Sequence, residues 1–258
     1  MSKEILIAKF GTKCVVNDGS IAQERVNRHA ERYARLLPDY RLGIVSSGSE
    51  GAGKRKVASH RPDLVGELDV RTLAAIGSSS AFHTWRRAFG RLQFEGSPII
   101  AAELKATHDN MDDPEEGKSL KEVFLNCVNN VIVPVFNIND PLDRYKDEIG
   151  RIQEGKDNDH SAEHLGRIVG ANTLMLMTAR VGGVIIDGKV VPTISIAEVS
   201  DLEPHLTPTD EDGTGSMMSK LQAGVNALEG GIEKVFIGSS SADPRLILGR
   251  QQGTQLVA

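Results

Sequence analysis

The feature that most constrains the fold is an alternation of strand-length apolar runs with amphipathic helical stretches. The clearest strand candidates are EILIAKF, RLGIVSS, SPIIAAEL, VIVPVFN, TLMLMT and KVFIGSS. The segments between them carry apolar residues every three or four positions, in IAQERVNRHAERYARLL, VRTLAAIGSSSAFHTWRRAF, SLKEVFLNCVNN, SAEHLGRIVGA and SMMSKLQAGVNALEGG. Strands that alternate with helices pair in parallel, so the sequence predicts an α/β fold, a three-layer α/β/α sandwich with a largely parallel central sheet.

The joins between these elements indicate where ligands bind. VIVPVF and TLMLM are apolar throughout and predict central strands, whereas VIIDGKVVPTI predicts a hairpin that turns at Asp187-Gly188. Polar, Gly- and Asp-rich loops are expected at residues 48–54, 108–119, 137–159 and 207–216. Several of them directly follow a strand, which is where open α/β sheets bind ligands. The chain shows neither a low-complexity linker nor a repeat, so we expect residues 1–258 to form a single domain.

Composition excludes several classes of protein. A chain of 258 residues with 40% hydrophobic residues is long enough to bury a substantial core, and its net charge of −5 argues against non-specific nucleic-acid binding. The basic segments RHAERYAR and HTWRRAFGR are expected to be solvated helix faces. No apolar run spans a bilayer, and the first residues do not form a secretory signal, so we expect a cytoplasmic protein without membrane contact. Cys14 and Cys127 are expected to be buried free thiols.

Two glycine-containing patches follow the first two strands. Lys9, Gly11 and Thr12 place an ammonium group beside a residue without a side chain, where a ligand can approach the backbone. Ser47 and Gly48 begin a second patch of small residues whose backbone N–H groups can face an anion. Taken alone, Lys9 fits a solvated lysine at a strand end better than a functional residue. GSEGAGK does not have the spacing of a Walker A loop, and an ordinary surface loop fits the second patch equally well.

Three further patches carry candidate polar residues. Asn137-Ile138-Asn139-Asp140 follows the buried VIVPVF, and Lys156-Asp157-Asn158-Asp159 precedes a helix for which either aspartate is a candidate N-cap. The last patch runs from Gly213 into a helix whose first turns carry Lys220. A lysine near a helix N-terminus opposes the macrodipole, which favours an anionic partner for Lys220.

The order of these patches resembles the amino-acid kinase family, and within it the catalytic domain of the glutamate 5-kinases. The resemblance rests on KFGT, VSSG, VPVFNIND, DNDHSA and GTGSMMSKLQA, with Gly238-Ser239 and Gly253-Thr254 as further matches, and it covers essentially the whole chain. The sequence ends where many bacterial glutamate 5-kinases continue into a PUA domain, so the resemblance implies a protein without that module.

The resemblance implies an ATP-dependent kinase that forms an acyl phosphate on glutamate or a similar carboxylate. Lys9 and Lys220 would contact the transferring phosphoryl group, and Asp159 would orient both ammonium groups. Mg²⁺ would be held by the ATP phosphates and water, without a dedicated protein metal site. The positions that match the family's acceptor site are Ser47, Gly48, Asn137, Asp140 and Asn158. The positions that match its nucleotide site are Lys9, Gly11, Thr12, Thr178, Gly213, Thr214, Gly215, Met218 and Lys220.

Two departures from the family pattern leave the acceptor open. Ile138 stands where glutamate 5-kinases usually have a glutamate, and Ala179 follows Thr178 where they usually have an aspartate. The alternatives are therefore a kinase of another small acid, phosphate or phosphonate in a specialised pathway, and a non-catalytic nucleotide-binding regulator. Family members are usually homo-oligomers, and the helix over residues 70–89 matches their dimer contact, which implies a dimer or tetramer.

Overall fold

A computed structural model describes residues 3–17, 20–145, 157–206 and 217–258. Its centre is an eight-stranded sheet that every clear strand candidate enters. The strands of this sheet are β1 (Glu4–Phe10), β4 (Tyr40–Ser46), β7 (Ala101–Ala106), β8 (Val133–Ile138), β9 (Thr173–Thr178), β12 (Thr193–Ser195), β13 (Lys234–Ser239) and β14 (Thr254–Val257). Three two-stranded hairpins comprise β2 (Val16–Asn17) with β3 (Ser20–Ile21), β5 (Gln93–Phe94) with β6 (Ser97–Pro98), and β10 (Ile185–Ile186) with β11 (Lys189–Val190).

The strand order of the central sheet is β12-β14-β13-β9-β1-β4-β8-β7. All neighbours pair in parallel except β13 and β14. The ends of β1, β4 and β9 are in register, because Phe10 pairs with both Ser46 and Met177. Parallel strands that end together place the residues after them along one edge of the sheet, called here the carboxyl edge.

Helices cover both faces of the sheet, which confirms the three-layer α/β/α sandwich. One face carries α5, α6, α7 and α8 over a core that includes Ile5 and Ile7, and the other carries α2, α4 and α9 over Leu6 and Phe10. The helices are α1 (Thr12–Val15), α2 (Gln23–Ala34), α3 (Ser49–His60), α4 (Val70–Gly90), α5 (His108–Asp112), α6 (Pro114–Asn129), α7 (Asn158–Val169), α8 (Met217–Glu229) and α9 (Pro244–Leu248). Short 3-10 helices are Pro62–Leu64, Ile196–Asp201 and Glu203–His205.

The loop expected at residues 48–54 is wrong, because α3 begins at Ser49 and continues to His60. Glycines weaken an isolated helix, but here they allow close packing against α4. A Cβ atom on Gly53 would lie 1.8 Å from the Leu73 carbonyl oxygen, and one on Gly77 would lie 1.9 Å from the Ser49 carbonyl oxygen. The contact between α3 and α4 therefore outweighs the low helix propensity of this segment.

The loop expected at residues 108–119 is also helical. The Thr107 side chain caps α5, and the Asp113 carboxylate accepts hydrogen bonds from the backbone N–H groups of Glu115 and Glu116 at the start of α6. The acidic residues of this stretch thus lie at a helix N-terminus, where negative charge is favourable.

The structure also bears on the predicted hairpin, the cysteines and the domain organisation. The Asp187-Gly188 turn joins β10 and β11 as predicted, whereas SPIIAAEL is divided between β6 and β7. The cysteines are free thiols; Cys14 is buried, but Cys127 is only partly buried. Within the described ranges, no helix has the length and apolarity to span a bilayer. Because both cores pack on one sheet, we propose that residues 1–258 form a single domain.

Candidate active site

The alternation of β1 determines where Lys9 lies. Side chains of a strand alternate between its faces, so Lys9 shares the face of Ile5 and Ile7, on which α7 and α8 pack. The first turn of α7 brings Asp159 to this face, and the first turns of α8 bring Lys220. Three residues that are far apart in the sequence thus converge beneath the carboxyl edge of the sheet.

Asp159 lies between the two lysines. Its Oδ1 is 2.6 Å from Lys9 Nζ and its Oδ2 is 3.1 Å from Lys220 Nζ. Asp159 is fully buried, whereas Lys9 is 3% exposed and Lys220 is 8% exposed. We call these three residues the Lys–Asp–Lys cluster. With two cations and one anion, the cluster carries one net positive charge in a buried environment that is largely shielded from water.

The cluster is held in its ionised form. Burial acts to raise the pKa of Asp159, but the charges of Lys9 and Lys220 outweigh this effect and hold the pKa below its usual value. Burial acts to lower the pKa of Lys220, but the Asp159 carboxylate outweighs it and raises the pKa. Asp159 is therefore ionised and Lys220 is protonated near neutral pH, and the cluster can present positive charge to an anion.

The second patch lies beside the end of β1. Ser47 is buried, and its backbone N–H donates to the Phe10 carbonyl at 3.0 Å. Gly48 has a φ of 113°, a left-handed conformation that favours glycine, and it precedes the first residue of α3. The Asn137 amide donates to Ser49 Oγ at 2.8 Å, which connects β8 to the same helix start. These contacts place Ser47, Gly48 and Asn137 together at the carboxyl edge.

A buried hydrogen-bonded network joins the segments that carry Asp140 and Asn158. His108 Nδ1 lies 2.5 Å from Asp143 Oδ2, and His108 Nε2 lies 3.1 Å from Ser161 Oγ. Asp143 is three residues after Asp140, and Ser161 is three residues after Asn158, both of which are half-buried. Sequence reasoning missed this network, since nothing in the local spacing of His108, Asp143 and Ser161 connects them.

The network has the composition of a Ser-His-Asp triad but not its accessibility. His108 and Asp143 are each 2% exposed and Ser161 is fully buried. Ser161 Oγ also donates to the Asp157 carbonyl at 2.8 Å, which uses its only proton. Among the described residues this hydroxyl is fully buried, so the network acts as a connection between α5, the segment after β8 and the first turn of α7.

Asp157, not Asp159, is the N-cap of α7. Its carboxylate accepts from the backbone N–H groups of Asp159 and His160 at 2.9 and 3.0 Å, from the His160 ring, and from the Ser219 hydroxyl of α8. Burial acts to raise the pKa of Asp157, but its hydrogen bonds with His160 and Ser219 outweigh burial and lower it. The cap therefore fixes the start of α7 against α8, and so fixes Asp159 relative to Lys220.

Some of the positions predicted to bind the nucleotide lie near the cluster, and others lie outside the described residues. A Cβ atom on Gly11 would lie 3.4 Å from Lys9 Nζ, which places Gly11 beside the cluster, and Thr12 is exposed at the start of α1. The Thr178 hydroxyl lies within hydrogen-bond distance of the carbonyls of Val181 and Gly238, and Met218, on α8, packs against the core. The remaining predicted nucleotide positions lie outside the described residues: Gly213, Thr214 and Gly215.

The departure at Ile138 is a change in the core. Its side chain is 5% exposed and belongs to the same apolar cluster as Met111, Phe124 and Ala162. The side chain at position 138 therefore faces the core in this protein and not the surface of the candidate site. Among the residues that the structure describes, no group of three or more His, Cys, Asp or Glu side chains is arranged to hold a metal ion.

Comparisons with known proteins agree with this architecture. The sequence pattern described as the amino acid kinase family matches residues 4–239. Glutamate 5-kinase of Vibrio parahaemolyticus is 29% identical over 93% of this chain and 62% of its own length, and that of Vibrio campbellii is 29% identical over 98% and 66%. The chain thus spans less than two thirds of the length of these relatives.

Solved structures share the fold at lower identity. Carbamate kinase from Giardia lamblia bound to AMP-PNP superposes with a TM-score of 0.69 at 15% identity, covering 99% of both chains. UMP kinase from Ureaplasma parvum gives a TM-score of 0.63 at 13% identity, covering 100% of both chains. The match to the family pattern, which extends over nearly the whole chain, shows that the protein belongs to the amino acid kinase family.

Proposed function

We propose that the protein is an ATP-dependent kinase that transfers the γ-phosphoryl group of ATP to the side-chain carboxylate of glutamate or a glutamate-like acid. The observation that carries this proposal is the Lys–Asp–Lys cluster, which provides fixed positive charge where phosphoryl transfer develops negative charge. The 29% identity to glutamate 5-kinases supports the choice of acceptor.

The chemistry requires little beyond alignment and charge. An acceptor carboxylate oxygen forms a bond to the γ-phosphorus, and the bond from that phosphorus to the β,γ-bridging oxygen breaks, so ADP leaves with the electron pair. The acceptor is already ionised at neutral pH and has no proton to remove, so Asp159 need not act as a base. Its role would be to hold Lys9 and Lys220 charged and in place as the phosphoryl group passes between the two substrates.

Mg²⁺ fits this site as a partner of ATP. Both Asp159 oxygens are engaged by ammonium groups, so this carboxylate is not a free metal ligand. When bound, Mg²⁺ would neutralise charge on the ATP phosphates while keeping most of its water. Gly11 and Thr12, together with Thr178, Met218 and the segment over residues 213–215, are proposed to contact the nucleotide.

The acceptor side is proposed to use the second patch and the segments joined by the buried network. Ser47, Gly48 and Asn137 would contact the acceptor carboxylates, and Asp140 and Asn158 its α-ammonium and polar groups. The buried position of Ile138 supports retention of glutamate, since the change lies in the core. A homo-oligomer and a cytoplasmic location remain predictions.

The test is ADP release by purified protein with Mg-ATP and a panel of amino acids headed by L-glutamate, with hydroxylamine present to trap an acyl phosphate. We expect glutamate-dependent ADP and a hydroxamate. Lys220→Ala should be silent, whereas Lys234→Ala should retain activity, because Lys234 pairs with Glu4 at the opposite end of the strands.

Other outcomes would change the proposal. Turnover with a different acid, phosphate or phosphonate would show a kinase with another acceptor. ATP binding without ADP release across the panel would contradict catalysis and favour a nucleotide-binding regulator.

A further inference from the structure

A cavity of about 480 Å³ opens at the carboxyl edge of the sheet, on the face that carries α2. It lies between α1, α2 and the residues that follow β9 and β13. The basic segment of α2 that sequence analysis assigned to a solvated helix face contributes one wall. Lys9 points to the other face of β1, so this cavity is separate from the Lys–Asp–Lys cluster.

Cationic side chains dominate the lining: Lys13, Arg25, Arg28, Arg32 and Arg180. Within the described ranges of the chain, the lining includes no aspartate or glutamate. Arg25, Arg28 and Arg32 are three and four positions apart, so they share one face of α2, and like charges at this spacing repel. Such a concentration of positive charge in a concave site favours the binding of an anion, even in a chain of net charge −5. We call this cavity the arginine pocket.

Among the described residues, the hydrogen-bond partners of Arg25 and Arg32 are carbonyl and amide oxygens rather than carboxylates. Arg25 donates to the carbonyls of Lys13 and Val16 at 2.8 and 3.0 Å, and Arg32 donates to the Ser240 carbonyl at 3.2 Å. Carbonyl oxygens orient a guanidinium but leave its charge in place. Because a guanidinium has five N–H donors, both side chains keep donors for a ligand. Preorganised arginines reduce the entropy lost when an anion binds.

His29 forms part of the pocket wall. It is 2% exposed, and one ring nitrogen, Nε2, lies 3.0 Å from the Cys14 carbonyl. Burial and the charges of Arg32 and Arg25 together lower the pKa of His29 to about 4, against the opposing effect of the Cys14 carbonyl. The histidine is neutral at pH 7, so it adds no charge to that of the α2 arginines Arg25, Arg28 and Arg32.

We propose that the arginine pocket binds a small molecule that carries two or more phosphoryl groups, at a site separate from the phosphoryl-transfer cluster. Paired guanidinium groups match the geometry of phosphate oxygens, and a concave volume of about 480 Å³ suits a small molecule. This inference does not depend on the acceptor, because binding is measured without turnover.

The first test is calorimetric titration of the full chain with tripolyphosphate, with and without saturating Mg-AMP-PNP. We expect tripolyphosphate to bind in both conditions and to bind more weakly as salt rises. Arg28 is exposed, so its replacement should not disturb folding. Arg28→Gln should weaken binding about tenfold, the effect of one charge-assisted hydrogen bond, and Arg28→Glu should weaken it further.

The matched control is Arg86→Gln, which removes an exposed arginine on α4 outside the pocket and should leave binding unchanged. Equal binding by wild type, Arg28→Gln and Arg28→Glu would overturn the proposal. It would also be overturned if Mg-AMP-PNP abolished the Arg28-dependent binding, because the pocket would then hold the phosphates of the nucleotide itself. Thermal melting of each variant distinguishes a loss of binding from a loss of folding.

Discussion

Two groups of cations lie at the carboxyl edge of the same sheet, on opposite faces, and they differ in what balances their charge. Lys9 and Lys220 are almost fully buried, and both contact one buried carboxylate. The arginines of α2 line an open cavity whose described walls carry no carboxylate. Buried charges must be paired inside the protein, whereas hydrated charges need no fixed partner. The stability of the fold should therefore depend on the charges of the first group, whereas charges of the second group can be removed with little effect on stability.

Removal of the Asp159 charge should have the largest effect. Asp159→Asn keeps the shape of the side chain but leaves two ammonium groups buried without a counter-charge. We expect the free energy of unfolding to fall by about 3–5 kcal/mol. Turnover should fall by about 10³-fold, because Lys9 and Lys220 lose their position. Urea unfolding and ADP release measure the two effects.

The control for this change is Lys54→Ala, which breaks an exposed pair with Glu50 and should cost less than about 1 kcal/mol. An Asp159→Asn variant as stable as wild type would contradict the requirement for a buried counter-charge.

Adding a buried carboxylate that has no counter-charge should also destabilise the protein. Ile138→Glu restores the residue usual in glutamate 5-kinases, but it places the carboxyl in the apolar cluster with Phe124. We expect a loss of about 2–4 kcal/mol in the free energy of unfolding and no gain in activity with glutamate.

Ile138→Val, which shortens the side chain without adding charge, should cost about 1 kcal/mol and serves as the control. If Ile138→Glu were both stable and more active with glutamate, the side chain at this position would face the acceptor rather than the core.

The network of His108, Asp143 and Ser161 is also buried, but its members contact one another and not Lys9 or Lys220. His108→Ala removes the contacts that join Asp143 to Ser161. Because His108 joins the segments proposed to bind the acceptor and is not among the proposed nucleotide contacts, we expect KM for the acceptor to rise about tenfold, or ~1.4 kcal/mol. The KM for ATP and kcat should change little.

His108→Asn keeps a donor near the Nδ1 position and should recover most of the acceptor affinity. A change of kcat alone, or an equal rise of both KM values, would contradict a positioning role for His108.

The smallest expected effect is the pH dependence of the Asp157–His160 pair. Burial acts to lower the pKa of His160, but Asp157 outweighs it and raises the pKa above 6.5, so this stabilisation is fully present below pH 6.5 and is lost as pH rises through the folded pKa. The Asp157 pKa lies below 3.8, so its contribution is present above pH 3.8 and lost as pH falls through the folded pKa.

The stability difference between wild type and His160→Gln should therefore be largest near pH 5–6, at about 1 kcal/mol, and should shrink by pH 9. Urea unfolding at both pH values measures it. His83→Gln, at an exposed position on α4, is the control. A difference that grows as pH rises would contradict the assigned direction.

Much of the fold follows from local sequence. The apolar run in EILIAKF predicts β1, and the alternation of side chains along a strand puts Lys9 on the same face as Ile5 and Ile7. TLMLMT corresponds to β9 over its full length, and the helices α2, α4 and α8 lie where apolar spacing predicts them. The same local logic fails for α3, whose glycines lower helix propensity, because their benefit appears only when α4 packs against them.

The candidate site also combines features that follow from local sequence with features that depend on tertiary structure. The residue types and the order of the polar patches are local properties, so the sequence by itself determined the family and the candidate lysines and aspartate. That Asp159 lies between Lys9 and Lys220, that Ile138 faces the core, and that the arginines of α2 face a cavity were decided only by tertiary structure. The physical reason is that burial and charge pairing depend on neighbours from other elements, and these neighbours are brought close only when the helices pack on the sheet.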